Sequence, residues 1–560
     1  MSEPSDAIER LAQRIEELER RVDALEHPLA APWPRLAHKP GETPTPASIE
    51  AAGAAQAGGI FAVLGKAMLG IAGAYLLRAL EETGTLPRLL VACAGIVYAF
   101  LWMAWAARSP RQLNNAIYAC TSAAILAPML WELTLRFQSV SAAFAAGVLC
   151  AYALVAYALT RKRNLAPVFR VCVIAAAGLS LALAIASHAA LPFTAALLAM
   201  AALGEFVPER DRMIEIRAPV ALAADAAIWN LIYANFSPHA GFPELGRTSL
   251  LAPAIALFLI FAAGVSLQTI VRGARIAVFE TLQSTIAFLL FAVSWADFGP
   301  ASATIVLGIL CLTLAATCYA AVFAVFAGQS EPRNFAVFAA WGAALLLWGC
   351  LLSLSPAWTA ACLGGAAIAA TFVGRRKSWV SFEFYGALFL FTAAAESGLF
   401  SFLANALVSR PSGAPSLIAG LIGVAAILCY AIAGLGPEES WRLQALHLAV
   451  AALALGAVLA MAIEALVALT ALMVAPGAHH LALIRTLTLC SAAVALVFGG
   501  ARWRRAELTR LGYATLALVA VKLVAEDLRH GHLAYIAASI FLFALALIAA
   551  PRVARARQRA

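Results

Sequence analysis

The chain is short of charge. Asp, Glu, Lys and Arg make up 12% of its 560 residues, about half the share usual in soluble domains, which leaves too little polar surface to face water. It has no paired cysteines. The ten thiols stand singly inside apolar stretches and none belongs to a C-x-x-C, so a disulfide scaffold is excluded and they read as small buried hydrophobes. G-x-x-x-x-G-K-[ST], H-E-x-x-H, G-x-S-x-G and a paired D-x-D are all missing. No nucleotide-driven pump is therefore encoded in this chain, the pattern of an enzyme with a soluble site is absent, and no cofactor or metal is expected. No secretory signal is expected either, because a charged helix precedes the first apolar run, and that run is expected to be an uncleaved anchor.

What is present is oil-soluble. Apolar residues reach 63% and the mean hydropathy is +0.87, which together read as an integral membrane protein of many spans. The net charge of +9 is spread in short clusters between apolar stretches, without a basic face, so nucleic acid is not an expected partner; the lipid bilayer is.

The amino terminus stands apart. In residues 1–27 the apolar positions Ile8, Leu11, Ile15, Leu18, Val22 and Leu25 step alternately by three and four, a heptad seam with β-branched a and leucine d positions. That combination favours two parallel strands. Arg14 and Arg21 at g, with Glu19 and Glu26 at e, would pair across such a homodimer. Residues 28–50 follow as a linker carrying six prolines between Pro28 and Pro46, semi-extended and without apolar periodicity.

Residues 51–551 alternate apolar runs of about 17–30 residues with short polar breaks, lengths that match a hydrocarbon core of about 30 Å crossed by helices. The expected fold is all-α, a polytopic transmembrane bundle of about eighteen spans, from 55–80 through short ones at 189–205 and 357–373 to 508–527 and 530–550. The gaps reach at most about a dozen residues, too few for a folded domain on either side, and 552–560 forms a basic tail. Twenty-two Lys and Arg residues fall in the gaps after even-numbered spans and in the tail, against six after odd-numbered spans. Cytoplasmic loops are enriched in these residues, so both termini are expected in the cytoplasm.

Residues 510–550 resemble the closing helix pair of a bacterial membrane-protein family catalogued as domain of unknown function 2339. The resemblance is carried by Leu511-Gly512, Lys522-Leu523, Asp527-Leu528, Tyr535 and Ser539. Residues 71–87 resemble that family's opening helix through Arg78, Gly84, Leu86 and Pro87. Ile536 departs from the pattern, where a basic residue is expected, and so does an Ala-rich third span in place of a Gly-rich one. The resemblance implies a multi-pass protein of the bacterial inner membrane and envelope, and no particular reaction.

Charges inside spans are the remaining pointers, because each costs a few kcal/mol at mid-bilayer unless paired or wetted. Lys66, Asp225 and Glu396 lie deepest and form a candidate intramembrane polar path, with interhelical pairing that fixes packing as the competing account. Asp225 is followed by Trp229, Asn230 and Tyr233, a candidate outer pocket for a polar or glycan-like ligand, or equally an aromatic belt. His188, His239, His479, His480, His530 and His532 fall at expected outer ends, where solvated loop histidines are the default reading. Three functions fit: transport of an envelope-related solute or lipid-linked intermediate, a scaffold recruiting partners through its coiled coil, or an intramembrane transferase at the outer face.

Overall fold

The computed structural model describes most residues from 63 to 558, leaving out 64, 75, 77–86, 162–165, 188, 207–213, 237–245, 328–331, 409–412, 434–440, 473–476, 504 and 528–532. The heptad seam and the proline-rich linker lie outside the described residues. Among those described there is helix and no strand. In lipid the backbone has no water to bond, so an Ala- and Leu-rich chain satisfies its N–H and C=O groups within each helix.

The helices, in order, are α1 (Arg88–Arg108), α2 (Gln112–Trp131), α3 (Ala142–Arg161), α4 (Ala166–Ala186), α5 (Ala190–Phe206), α6 (Ile214–Phe236), α7 (Arg247–Ser266), α8 (Val278–Phe298), α9 (Ala303–Ala321), α10 (Pro332–Ser353), α11 (Pro356–Lys377), α12 (Val380–Glu396), α13 (Leu399–Leu407), α14 (Leu417–Ala433), α15 (Trp441–Ala471), α16 (Ala478–Trp503), α17 (Ala506–Lys522) and α18 (Leu533–Gln558). Single π-helical turns extend α2, α7, α9 and α17.

Thirteen of the described helices are long and apolar enough to cross a membrane, and fourteen if the bent pair α12–α13 is one span. The chain is thus compatible with a multi-pass membrane protein, but the described residues do not reach the expected count of about eighteen. Three helices and one undescribed segment make the difference. Helices α5 and α14 have 17 residues each, about 25 Å of rise. Helix α6 is long enough, but Glu215, Arg217, Asp225, Asn230 and Asn235 make it too polar. Most of 55–80 lies outside the description.

The chain divides into two compact units, 1–125 and 126–560. In the first, α1 meets the start of α2 through Trp102, Trp105 and Tyr118, whose ring centroids lie 5.6–6.3 Å apart. The Ser122 hydroxyl donates to the Ala99 carbonyl at 2.7 Å, and Tyr98 donates to the carbonyl of Gly70 at 3.2 Å.

The second unit is packed by small residues, as expected where helices must associate without a hydrophobic drive from water. Ala360, Ala367, Ala387, Ala393, Ala394 and Ala426 are all buried in one of its cores. Between α9 and α10 the backbones come closest at Gly308 and Gly349. A Cβ on either would stand 3.1 or 3.0 Å from the other's carbonyl oxygen, so the crossing requires glycine. Large apolar side chains face outward instead: Leu259, Val521, Val524 and Phe541 are each more than half exposed, which suits a surface of acyl chains and not water.

Helix ends of this unit meet in two sets. At one pole Asn334, at the start of α10, accepts from Ile276 N–H at 2.8 Å and donates to the Ala274 carbonyl at 2.9 Å just before α8. Phe335 packs edge-on to Trp379 at the α11–α12 turn, 4.5 Å between centroids. Glu383 of α12 meets His447 near the start of α15 at 3.0 Å, and Arg505, just before α17, lies over the Tyr430 ring at 5.2 Å. Arg272, Arg275, Arg333 and the Arg375–Lys377 run lie at or beside the same helix ends, making this the basic pole. At the other, the end of α13 meets the starts of α16 and α18 and the end of α17.

Candidate functional site

Helix α12 stops at Glu396, and α13 leaves at 69° to it. The bend is built at Gly398, whose φ of +76° is open to glycine at little cost. Ser397 serves the freed backbone: its hydroxyl donates to the Ala394 carbonyl at 3.1 Å and accepts from Leu399 N–H at 3.3 Å. Leu399, Phe402 and Ala406 bury one face of α13.

A nine-residue helix ends in carbonyls with no intrahelical donor. Arg485, 2% exposed, supplies them. Its Nε donates to the Ala406 carbonyl at 2.8 Å, and its terminal nitrogens reach those of Val408 and Asn405 at 3.3 Å. A guanidinium suits this place because it offers five donors in a fixed fork and a positive charge at the negative end of a helix. Nη1 also bonds Glu526 Oε1 at 2.7 Å. Glu526 rides on the π turn Leu523–Asp527, one helical turn from Lys522, whose Nζ lies 3.6 Å from it. That ammonium donates to the Ala482 carbonyl and to Thr486 Oγ1, the latter at 2.6 Å.

Beside this clamp, His480 Nδ1 accepts from Gly477 N–H at 3.1 Å. The ring proton therefore sits on Nε2, which donates to the Tyr535 hydroxyl at 3.0 Å. The His479 ring lies 4.2 Å from His480 and 4.6 Å from Tyr535. His188, His239, His530 and His532 lie outside the described residues. No group of three metal-ligating side chains occurs among those described.

A second set of buried charges joins α5, α6 and α8 at the basic pole. Arg217 donates twice to Glu205 Oε1, at 2.9 and 2.6 Å, and stands 3.6 Å from Glu280 Oε1. Its guanidinium lies over the Phe279 ring at 5.2 Å. Glu280 Oε2 accepts from Ala277 N–H at 2.9 Å, capping α8. Two turns along α6, Asp225, 9% exposed, accepts from Gln283 Nε2 through both carboxylate oxygens at 2.8 and 3.0 Å. The rungs Arg217–Glu280 and Asp225–Gln283 thus tie α6 to α8 by polar contacts in an apolar setting. A third buried pair, Glu383 with His447, has Arg375 3.8 Å away.

Lys66 lies in the first unit and is exposed. In the second unit, no hydrogen bond or ion pair among the described residues links Asp225 to Glu396, which is half-buried at the end of α12 beside the break. Of the expected outer pocket, Trp229 and Tyr233 are 58% and 59% exposed and stand one turn apart on the surface. Asn230 is half-buried, its Nδ2 without a hydrogen-bond partner. That face has the form of an aromatic belt.

Arg485, Glu205, Arg217 and His447 are buried polar residues that the reading of spans passed over. Each sits within about two turns of an expected span end, where side chains are read as reaching for water. The structure turns them inward instead. Comparison of the chain with protein-family models, with curated proteins and with solved structures finds no match.

Proposed function

We propose that the chain forms about eighteen membrane crossings in a bacterial cytoplasmic membrane, with both termini cytoplasmic, and moves an envelope-related solute or lipid-linked intermediate across it. The break between α12 and α13 carries this reading. Transporters place their ligands where discontinuous helices leave backbone ends inside the protein. Here such an end is held by a buried arginine, with a carboxylate, an ammonium and an imidazole–phenol pair around it. The side assignment is supported by the basic loops that gather at one pole, since Lys and Arg are retained on the cytoplasmic side. The heptad seam of residues 8–25 would pair two copies there, and the resemblance to the domain of unknown function 2339 family supplies the envelope setting.

The test uses the whole protein in proteoliposomes carrying fluorescently tagged phosphatidylglycerol or, separately, a tagged polyprenyl phosphate, with a membrane-impermeant quencher. Faster access of the quencher than in protein-free vesicles is expected, and its loss in Glu526→Gln, whose amide oxygen still accepts from Arg485 and so spares the fold. Neither probe moving in the wild type, or movement unchanged in Glu526→Gln, overturns the proposal.

A scaffolding role is the second reading. It is favoured by the matching of Asp225 with Gln283 and of Arg217 with Glu205 and Glu280, which are contacts that fix packing. Removal of residues 1–48 separates the two: transport in vesicles is then retained for a transporter, whereas cellular function is lost for a scaffold.

A further inference from the structure

Helices α7, α8, α9 and α10 enclose a cavity of about 400 Å³, within the range of roughly 300–1,000 Å³ typical of small-molecule sites. Its walls are aromatic and aliphatic, with Phe258, Phe288, Phe338, Trp341 and Trp348 as the aromatic members. Phe258 packs against Phe288 at 5.7 Å and on Phe291 at 5.4 Å, and Trp341 Nε1 donates to Thr285 Oγ1 at 3.2 Å. The rings are therefore held open by other contacts and do not collapse into the space.

The lining also includes Leu289, Thr317, Ala344 and Trp348, all exposed on the outside of the bundle. Leu289 and Ala344 stand at the middle of α8 (Val278–Phe298) and α10 (Pro332–Ser353), and all four enclosing helices are long and apolar enough to cross a membrane. The cavity is thus continuous with the lipid-facing surface at mid-span, so the medium at its mouth is hydrocarbon and not water.

We propose that this cavity binds one hydrocarbon chain of a bilayer phospholipid, which enters sideways between α8 and α10 past Leu289, Ala344 and Trp348. The site needs only the membrane setting and stands whether or not the protein transports anything.

The experiment uses the full-length protein in vesicles of phosphatidylglycerol and phosphatidylethanolamine doped with a phosphatidylglycerol whose acyl chain carries a diazirine. After illumination, labelled peptides are mapped by mass spectrometry. Label is expected to concentrate several-fold on the α7–α10 lining over the lipid-facing helices α17 and α18. It should fall back to their level in Ala344→Trp, which fills the mouth, while label on α17 and α18 stays unchanged. Ala262→Leu, a milder filling of the same wall, is read in place of Ala344→Trp if the latter does not elute as a monodisperse species. Labelling of the cavity no stronger than that of α17 and α18, or enrichment that survives the filling substitution in folded protein, overturns the proposal.

Discussion

Arg217→Met is expected to cost about 3–5 kcal/mol, the range measured when one partner of a buried ion pair is removed. The wild-type cluster sets one guanidinium between two carboxylates, with Arg217, Glu205 and Glu280 each less than a tenth exposed. Methionine keeps the volume and the contact with the Phe279 ring but takes from the buried Glu205 both hydrogen bonds of the guanidinium. Glu280 suffers less, because its other oxygen still caps α8, where the helix dipole favours negative charge. The double variant Glu205→Leu/Arg217→Met removes both buried ions and should recover most of the loss, since replacing a whole pair by apolar groups is often close to neutral. Both are measured as unfolding rates in detergent, the suitable quantity where denaturation does not reverse. A single variant as long-lived as wild type would mean that water reaches this cluster.

The architecture was legible because one physical constraint governs nearly every residue: a chain this poor in charge must be helical where it meets lipid, and the lengths of its apolar runs set the helix lengths. The break at Ser397–Gly398 was not legible. Residues 383–405 read as one continuous span, since hydropathy is blind to a single glycine at positive φ. The buried charges show a second gap. Position along a span places Asp225 eleven residues from either end of α6, but the same reading puts the buried Asp225 and the exposed Lys66 together. It fails for Arg217 and Arg485, since a charge three or seven residues into a helix can turn toward either solvent or the core, and only the neighbouring helices decide which. Glu205 and Arg217, twelve residues apart, form a pair only because α5 and α6 pack side by side. Trp229 and Tyr233, which the sequence places together, stand one turn apart and are both more than half exposed.

Arg485→Met should have the second-largest effect and a different signature. The guanidinium does two jobs: it caps three carbonyls at the end of α13 and it neutralises Glu526. Losing the first job frees the carbonyl end of a nine-residue helix that is otherwise fixed by the turn at Gly398 and by Leu399, Phe402, Leu403, Ala406 and Leu407. Losing the second is buffered, because Lys522 stands 3.6 Å from Glu526 and a quarter of the Glu526 side chain is exposed. The destabilisation should therefore be about 3 kcal/mol, the low end of the range for a broken buried pair. Glu526→Gln should cost less than half of that, since an amide oxygen still accepts from Arg485. Arg485→Lys separates the two jobs. An ammonium can meet Glu526 or the carbonyls, but its single nitrogen cannot span both as the planar fork does. Protease accessibility near residues 399–412 should then rise in both Arg485 variants and stay at the wild-type level in Glu526→Gln. Equal accessibility in all three would place the hold on α13 in its apolar face and not in the arginine.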